Sequence, residues 1–257
     1  MLRLIISGCK GYMGKVVAGI AESDPDVAIV AGFDVNTETP CSFPVYSDPA
    51  GFAGKADVVV DFSSPHALDG LLTYGISTKT PLILCTTGYT TEQLEQIKKA
   101  AEYIPVFKSA NMSLGVNLLA DLIKRACAVL GDAYDIEIVE RHHRRKVDAP
   151  SGTALMLADA AASAMQGGPE YVFERQSKRQ PRSASEIGIS SVRGGTIVGQ
   201  HDVIFAGLDE VIELKHTASS RDVFAAGAIK AAKFMSGVDS PGLYDMSDVL
   251  NVATIQG

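Results

Sequence analysis

The segment LRLIISGCKGYMGKVVAGI, residues 2–20, decides the fold. It contains an apolar, β-rich run at Leu2–Ile6, the pattern G-x-x-G-x-x-G at Gly8–Gly14, and a helical pattern that begins at Tyr12. A strand, a glycine-rich turn and a helix in this order are typical of a dinucleotide-binding unit, because glycines let backbone N–H groups and the helix N-terminus approach a pyrophosphate. The segment therefore predicts a nucleotide-binding βαβ unit at the start of the chain.

Short strands and helices continue to alternate up to about residue 110. Alternation of this kind is typical of a parallel sheet with helices on both faces, so an α/β fold is expected for this part of the chain. The predicted strands are Val27–Phe33, Asp57–Phe62, Pro81–Cys85 and Ile104–Phe107, and the predicted helices are Tyr12–Ser23, His66–Ser77 and Thr91–Ala101.

The order of predicted helices and strands changes from residue 113 onwards. A long amphipathic segment leads to one strand and an alanine-rich helix, and three further strands then follow one another closely across glycine turns. Strands this close in sequence favour an antiparallel or mixed sheet, so the second part is expected to be α+β. The segments are Ser113–Leu130, Tyr134–Glu140, Ser151–Met165, Ile187–Val192, Thr196–Phe205 and Glu210–His216, with a last helix at Arg221–Met235 and an exposed basic loop at Glu174–Glu186.

The composition is that of an acidic globular protein. The 257 residues include 23 Lys plus Arg and 30 Asp plus Glu, and the resulting net charge of -7 argues against nucleic acid as a partner. There is no uncharged apolar run of about 18 residues, and the apolar start is too short for a signal peptide, so a cytoplasmic protein with no membrane partner is expected. The four cysteines lack metal-site spacing, so reduced thiols and no metal site are expected.

Asp34 ends the second predicted strand about 20 residues beyond the glycine turn, where a ribose-binding carboxylate belongs. An acid at this point favours NAD, whereas an Arg beside it would favour the 2′-phosphate of NADP, and the next residue is Val35. Lys10 in the turn is a nearby cation that could offset this preference, so NADH and NADPH both stay open. Two loops that follow predicted strands are expected to line the nicotinamide pocket, Cys85–Gly88 and Ser109–Met112.

The residues that could take part in catalysis are concentrated in the segment ERHHRRKVDAPSGT, residues 140–153. Two of the five histidines and four cations fall within residues 141–146, and the segment leads directly into a predicted helix. A solvated basic turn would account for the charges alone. Ser151-Gly152-Thr153 favours a binding site instead, because hydroxyl and backbone donors at a helix start receive a carboxylate. The segment therefore predicts a site for a polycarboxylate.

Together these motifs resemble the dihydrodipicolinate reductase (4-hydroxy-tetrahydrodipicolinate reductase) family of the diaminopimelate route to lysine. The run from Glu140 to Ala154 is the most specific of them, and the resemblance extends to DMSDVL at residues 245–250. Two positions depart from the family, since Cys85 stands where the family often has Gly and no Arg follows Asp34. The other matching motifs are the glycine turn with Met13, Asp61-Phe62-Ser63, Thr86-Thr87-Gly88 and ANMSLGVN at residues 110–117.

The resemblance implies two domains and a homotetramer. Residues 1–113, rejoined by residues 222–257, would form a Rossmann-like dinucleotide-binding domain. Residues 114–221 would form a central α+β domain with a mixed sheet, which binds the substrate and builds the tetramer through its sheets. The partners expected for this chain are therefore a small dicarboxylate substrate and further copies of itself.

The resemblance also assigns roles to individual residues. His142 would be the proton donor or acceptor, and Lys146 a second proton donor. The substrate contacts would be His143, Gly152 and Thr153, joined by Ser151 at the predicted helix start. The dinucleotide contacts would be Gly8, Cys9, Lys10, Gly11, Tyr12, Met13, Asp34, Cys85, Thr86, Thr87, Ser109, Ala110, Asn111 and Met112.

The reaction implied by this resemblance is hydride transfer from NADH or NADPH to an unsaturated six-membered imine dicarboxylate, which gives tetrahydrodipicolinate. His142 can deliver the proton that the reduced ring needs, since an imidazolium is available near neutral pH. Two alternatives stay open, namely a dehydrogenase of another small acid and a non-catalytic dinucleotide sensor. A generic dehydrogenase has no need of the His-His-x-x-Lys run, and a sensor would bind NADH without oxidising it.

Overall fold

Two units, each with its own β-sheet, make up the described part of the chain. The first unit consists of Met1–Ser113 together with the stretch from Asp222 onwards. The second unit consists of Leu114–Arg221. The chain therefore leaves the first unit once, builds the second, and returns.

The computed structural model describes residues 1–38 and 40–255, of which residues 252–255 are described as backbone alone. Residue 39 and residues 256–257, which belong to the predicted first domain, lie outside the described residues. Within the described ranges, none of the helices is long and apolar enough to cross a membrane.

The predicted elements are found with their bounds shifted by a few residues. Among the described residues, the strands β3, β8 and β12 and the helix α7 are not predicted by the sequence, and strands of two or three residues carry too little pattern to be recognised. The strands are β1 Leu2–Ser7, β2 Val27–Phe33, β3 Val45–Tyr46, β4 Val58–Asp61, β5 Leu82–Leu84, β6 Pro105–Phe107, β7 Asp135–His142, β8 Glu170–Val172, β9 Glu186–Arg193, β10 Gly199–Ala206, β11 Val211–Ala218 and β12 Gly242–Tyr244. The α-helices are α1 Tyr12–Glu22, α2 Leu68–Thr78, α3 Thr91–Ala100, α4 Leu114–Leu130, α5 Gly152–Ala162, α6 Asp222–Met235 and α7 Met246–Ile255.

The first unit contains a Rossmann-like parallel sheet, which confirms the predicted α/β fold. Its strands lie in the order β12-β6-β5-β4-β1-β2-β3, and the order reverses between β1 and β4. Ser7 pairs with Phe33 on β2 and with Asp61 on β4 in parallel register. The carboxyl ends of these three strands therefore meet at one edge of the sheet, where open α/β sheets bind their ligands.

Apolar strands fill the core of the first unit. Leu4, Ile5 and Ile6 are fully buried, as are Val58 and Val60 on the neighbouring strand β4. Continuous apolar strands of this kind are typical of a parallel sheet that is covered on both faces. The returning C-terminal stretch belongs to the same unit, because β12 adds to the sheet in parallel beside β6.

The second unit contains a mixed sheet in the order β11-β10-β7-β9-β8, as predicted. Strand β7 is antiparallel to β10 and parallel to β9. Side chains of β7 alternate in burial, and the buried face carries Ile136 and Ile138, which pack against α4 and α5. Glu140 and His142 continue along that same buried face. Polar side chains thus lie at the end of an apolar core.

The loop that the sequence predicts to be exposed, Glu174–Glu186, is partly anchored to the sheet. Arg175 forms ion pairs with Glu137 at 2.6 Å and with Glu186 at 2.7 Å. Arg182 pairs with Asp135. The basic composition of the loop does not show which carboxylates lie opposite it. The pairs with Asp135 and Glu137 tie the loop to the outer face of β7.

Candidate active site

The glycine-rich turn leaves no room for side chains between β1 and α1. Gly8 has a φ of 74°, and its N–H donates to the carbonyl oxygen of Phe33 at 2.8 Å. A Cβ atom on Gly14 would lie 2.1 Å from the carbonyl oxygen of Gly8. Helix α1 begins after its N-cap, Gly11, with no side-chain hydrogen bond capping it. The geometry of this helix start therefore suits a pyrophosphate.

The Asp34 carboxylate lies beside this turn, at the end of β2. Its Oδ2 accepts from the Lys10 N–H at 2.9 Å, and its Oδ1 accepts from the Asn36 N–H at 3.0 Å. The Lys10 ammonium donates to the carbonyl oxygen of Pro40 at 3.3 Å. A cavity of about 620 Å³ is lined by the turn, by Asp34 and by the ends of β1 and β4. A ribose that entered this cavity would meet a carboxylate acceptor.

A buried carboxylate joins the ends of β4 and β5. Asp61 is 1% exposed; its Oδ2 accepts from Thr86 Oγ1 at 2.7 Å, and its Oδ1 accepts from the Ser63 N–H at 3.1 Å. Burial, followed by the charge of Asp61, raises the pKa of the Tyr89 hydroxyl and of the Cys85 thiol well above their usual ranges. Cys85 therefore stays a thiol at neutral pH, which does not suit a nucleophile.

The loop after β6 is held by its own side chains. Ser109 Oγ donates to the carbonyl oxygen of Asn111 at 2.9 Å, and Asn111 Oδ1 accepts from the Ser113 N–H at 2.8 Å. Asn111 and Met112 are buried, whereas Ala110 is exposed. Because β4, β5 and β6 are parallel neighbours, the loops predicted to contact the cofactor gather at one edge of the sheet.

The side chains of the glycine turn differ in their exposure to solvent. Tyr12 is 63% exposed, and Lys10 and Met13 are half-buried. Cys9 is only 2% exposed, and its Sγ lies against Gly32 beneath the turn. A ligand at the turn can therefore contact the backbone of Cys9 but not its thiol.

In the second unit, strand pairing brings distant residues together at the end of β7. Glu140 pairs with His201 on β10, and His201 pairs with His216 on β11. His142 pairs with Arg193 on β9. Paired residues point to the same face of a sheet, so these five residues form one polar group, here named the β7 cluster.

Glu140 is fully buried within the β7 cluster. Its Oε2 lies 2.6 Å from His142 Nδ1 and accepts from Arg193 at 2.7 Å, while its Oε1 accepts from Arg193 at 2.6 Å and from the Ser151 N–H at 3.1 Å. Burial acts to raise the pKa of Glu140, but hydrogen bonds from Arg193 and His142 outweigh it and lower that pKa to about 2. Glu140 is therefore an anion that ties β7, β9 and the start of α5 together.

His142 lies at the buried end of β7 and is 8% exposed. Burial lowers the pKa of its imidazole, the Glu140 carboxylate opposes that effect, and the charges of Lys146 and Arg193 lower the pKa further. The residue beside it on β10 is Gly199, and a Cβ atom there would lie 3.2 Å from His142 Nε2. This glycine therefore leaves space for the outer nitrogen of the ring.

His201 is a second buried imidazole, 4% exposed, with its ring edge-to-face to that of His142 at a centroid distance of 5.2 Å. Its Nε2 lies 3.0 Å from Ser151 Oγ, which also accepts from the Ala154 N–H at 3.1 Å and so caps α5. Burial and the charge of His142 lower the pKa of His201 to about 4. A neutral histidine thus fixes the serine at the start of α5.

Lys146 lies on the loop between β7 and α5. Its Nζ pairs with Asp148 Oδ1 at 2.8 Å, and the Lys146 side chain is 21% exposed. His143 Nδ1 is buried and has no hydrogen-bond partner within the described ranges. The loop leads directly to Gly152 and Thr153, the first two residues of α5.

Part of this site is visible in the sequence and part is not. The segment at residues 140–153 marks His142 and Lys146, and the alternation along β7 places Glu140 on the same face as His142. Arg193 and His201 carry no motif that predicts their role, because they reach the site only through the pairing of β9 and β10 with β7. Within the described residues, no group of three or more potential metal-ligating side chains is found.

Two family models match the chain. Residues 2–112 match the model described as "Dihydrodipicolinate reductase, N-terminus". Residues 115–250 match the model described as "Dihydrodipicolinate reductase, C-terminus". The two matches together extend over both units.

Individual proteins of known name are also similar to the chain. It is 53% identical over 250 residues to the 4-hydroxy-tetrahydrodipicolinate reductase of Caldanaerobacter subterraneus subsp. tengcongensis, a match that covers 97% of this chain and 98% of that protein. It is 47% identical to the reductase of the same name from Clostridium tetani, with 98% of each covered. A solved structure, a dipicolinate-bound dihydrodipicolinate reductase from Paenisporosarcina sp. TG-14, superposes with a TM-score of 0.79 at 26% identity and covers 95% of this chain and 97% of that chain.

Proposed function

The chain belongs to the dihydrodipicolinate reductase family, and on this premise we propose that it reduces 4-hydroxy-tetrahydrodipicolinate to tetrahydrodipicolinate in the diaminopimelate route to lysine. The observation that carries the proposal is that His142 and the helix start at Ser151 both contact the buried Glu140 carboxylate, while the charge of Lys146 acts on His142. The first unit provides the turn that suits a nicotinamide dinucleotide. The similar solved structure is of a reductase bound to dipicolinate, which is a planar six-membered dicarboxylate.

The two carboxylates of the substrate need two receptors. The first is the start of α5, where Gly152 and Thr153 lie at the positive end of the helix dipole. The second is formed by Lys146 and His143. Lys146 would exchange its pairing with Asp148, which is 58% exposed, for a substrate carboxylate.

His142 is the residue that delivers the proton in this proposal. Loss of the 4-hydroxyl group as water converts the substrate into the conjugated dihydrodipicolinate ring. Hydride addition to that ring leaves electron density toward the nitrogen and the adjacent carbon, so one proton has to arrive as that charge develops. Nδ1 of His142 faces Glu140, which leaves Nε2, beside Gly199, to face the substrate. Lys146 serves as the second proton donor and holds a carboxylate.

A bound nicotinamide coenzyme supplies the hydride from its C4 position. The glycine turn would hold the pyrophosphate, Asp34 the adenosine ribose, and the loops after β5 and β6 the nicotinamide. Reduced nicotinamide coenzymes are present in the cytoplasm, which we propose as the location of the protein. The residues proposed to contact the coenzyme are Gly8, Cys9, Lys10, Gly11, Tyr12, Met13, Asp34, Cys85, Thr86, Thr87, Ser109, Ala110, Asn111 and Met112.

NADH is expected to be used at least as well as NADPH. The Asp34 carboxylate repels a 2′-phosphate, and the next residue is Val35 rather than Arg. The Lys10 ammonium donates to the Pro40 carbonyl oxygen at 3.3 Å and lacks the fork geometry of Arg. Measured kcat/KM values for the two coenzymes decide this point, and an advantage of about tenfold for NADPH would contradict it.

The outer face of the second sheet is proposed to build a homotetramer. Helices α4 and α5 pack on the opposite face. On the outer face, Val192 is 44% exposed and lies beside Arg141. Arg141 pairs with Asp202, and Lys215 lies 3.3 Å from the same aspartate. Light scattering tests the proposal. A tetramer that dissociates in Val192→Asp would support it, and a monomeric wild type would contradict it.

A coupled assay tests the proposed reaction. A synthase makes the unstable substrate in place from pyruvate and aspartate semialdehyde, and the absorbance of NADH or NADPH is followed. The proposal predicts that absorbance falls only while the synthase is active. A dinucleotide sensor would bind the coenzyme without oxidising it, and a dehydrogenase of another small acid would be inactive in this assay; either result would contradict the proposal.

A further inference from the structure

One buried carboxylate, Glu140, contacts the proposed proton donor, an arginine of β9 and the residue that caps α5. Glu140 lies 2.6 Å from His142 Nδ1, 2.6 and 2.7 Å from two nitrogens of Arg193, and 3.1 Å from the Ser151 nitrogen. Arg193 also donates to the carbonyl oxygen of Asp148 at 2.7 Å, within the loop that carries the proposed lysine donor. The proton donor, the helix start and the loop are thus tied to one ion pair.

The charges of this pair decide which nitrogen of His142 carries a proton. A carboxylate is only an acceptor, so Nδ1 of His142 has to donate to Glu140. In the neutral imidazole Nε2 is then the bare nitrogen, and in the imidazolium it carries the proton that can leave. Nε2 lies on the side of Gly199, away from the carboxylate.

We propose that Glu140, held by Arg193, is a positioning residue that fixes the tautomer and the orientation of His142 and aligns the ring with the start of α5. This inference rests on the proposed function, because it takes His142 as the proton donor. Glu140 itself is fully buried and acts through His142 and Ser151 rather than on the substrate. Hydrogen-bonded carboxylates orient histidines in the same way in other enzymes.

The charged groups that face His142 determine in which direction its pKa changes when the Glu140 charge is removed. Glu140 and Lys146 lie on its own strand and the following loop, Arg193 faces it from β9, and His201 faces it from β10. Removal of the Glu140 charge leaves the two cations to destabilise the imidazolium, so the pKa of His142 falls. Because a general acid has to be protonated, the alkaline limb of the kcat profile moves to lower pH.

The test compares two glutamate variants in the coupled assay. Glu140→Gln is expected to lower kcat by about 10- to 100-fold, to change the substrate KM less, and to move the alkaline limb to lower pH. Glu186→Gln is the matched control, since Glu186 is also buried and paired with an arginine, Arg175, at 2.7 Å. It is expected to leave the profile unchanged. An alkaline limb that stays in place in Glu140→Gln would reduce the role of Glu140 to folding alone and overturn the inference.

A measurement on the wild type keeps the inference testable if Glu140→Gln fails to fold. NMR of protein that carries isotope-labelled histidine distinguishes protonated from bare ring nitrogens, and the signals that His142→Ala removes belong to His142. The expected result is a neutral imidazole with its proton on Nδ1; a neutral ring with its proton on Nε2 would overturn the inference. Failure of the proposed function is distinguishable, because the wild type itself would then not oxidise the coenzyme in the coupled assay, whatever the tautomer of His142.

Discussion

The glycine turn of the first unit and the β7 cluster of the second use different groups to stabilise a charge. The turn presents backbone groups and a helix start, with Gly8 at a φ of 74° and Gly14 packed against it. The β7 cluster presents side chains, and its anion, Glu140, is fully buried against Arg193. A site made of backbone is sensitive to added atoms, whereas a site built on a buried ion pair is sensitive to lost charge. Substitutions that add atoms should therefore impair the turn, whereas substitutions that remove a charge should impair the β7 cluster.

The largest effect is expected in the β7 cluster. His142→Ala should lower kcat by on the order of 10²-fold or more, because proton delivery acts in the transition state. The affinity for NADH, measured by calorimetry, should stay at the wild-type value, since the turn that is proposed to bind it is intact. Turnover at the wild-type rate would contradict the role of His142.

One added methyl group in the glycine turn should weaken coenzyme binding. Gly14→Ala places a Cβ atom 2.1 Å from the Gly8 carbonyl oxygen, so the turn has to shift, and the coenzyme KM should rise by about 10- to 100-fold. Gly19→Ala is the matched control on the same helix, because a Cβ atom there meets nothing within 4 Å. Equal coenzyme KM values for the two variants would show that the turn does not bind the coenzyme.

Loss of one cation should weaken substrate binding by a smaller factor. Lys146→Ala is expected to reduce the affinity for pyridine-2,6-dicarboxylate by about tenfold, as a charged hydrogen bond is lost, and to lower kcat as well. Arg144→Ala is the control, since Arg144 is an exposed cation on the same loop. Calorimetric titration of both variants measures the difference, and equal affinities would remove Lys146 from the dicarboxylate site.

The smallest effect concerns stability. The pKa of His201 is lowered from 6.5 to about 4, so the unfolded chain binds a proton at a pH where the folded chain does not. The stability that this histidine contributes is therefore present above about pH 6.5 and is lost as the pH falls toward about 4. His201→Gln should show a shallower fall of Tm over that window than the wild type. His66→Gln, at an exposed position, is the control, and a slope equal to that of the wild type in His201→Gln would contradict the assignment.

The turn and the β7 cluster also differ in how far the sequence predicts them. The strand, the glycines and the helix of residues 2–20 are consecutive, so one local pattern predicts both the βαβ unit and the place of a ligand. Asp34 follows from spacing alone. The short strand β3, Val45–Tyr46, is missed because two residues cannot show an alternation.

The β7 cluster depends on contacts that are distant in sequence. The segment at residues 140–153 marks His142 through a dense motif, but Arg193 and His201 reach it only when β9 and β10 take their register on β7. A shift of one residue in the register of β9 would turn Arg193 to the outer face, and the same shift in β10 would turn His201 there. A single sequence carries no direct record of that register, so the partner of Glu140 and the imidazole beside His142 become visible only in the structure.

The central claim is that this chain transfers a hydride from a nicotinamide coenzyme to a six-membered imine dicarboxylate. Mass spectrometry of the product tests it most directly, with coenzyme that carries deuterium at C4 of the reduced nicotinamide and substrate made in place by a synthase. The predicted result is tetrahydrodipicolinate that carries one deuterium when one face of the nicotinamide is labelled, and none when the other face is labelled. A product without deuterium from either labelled coenzyme would contradict the account.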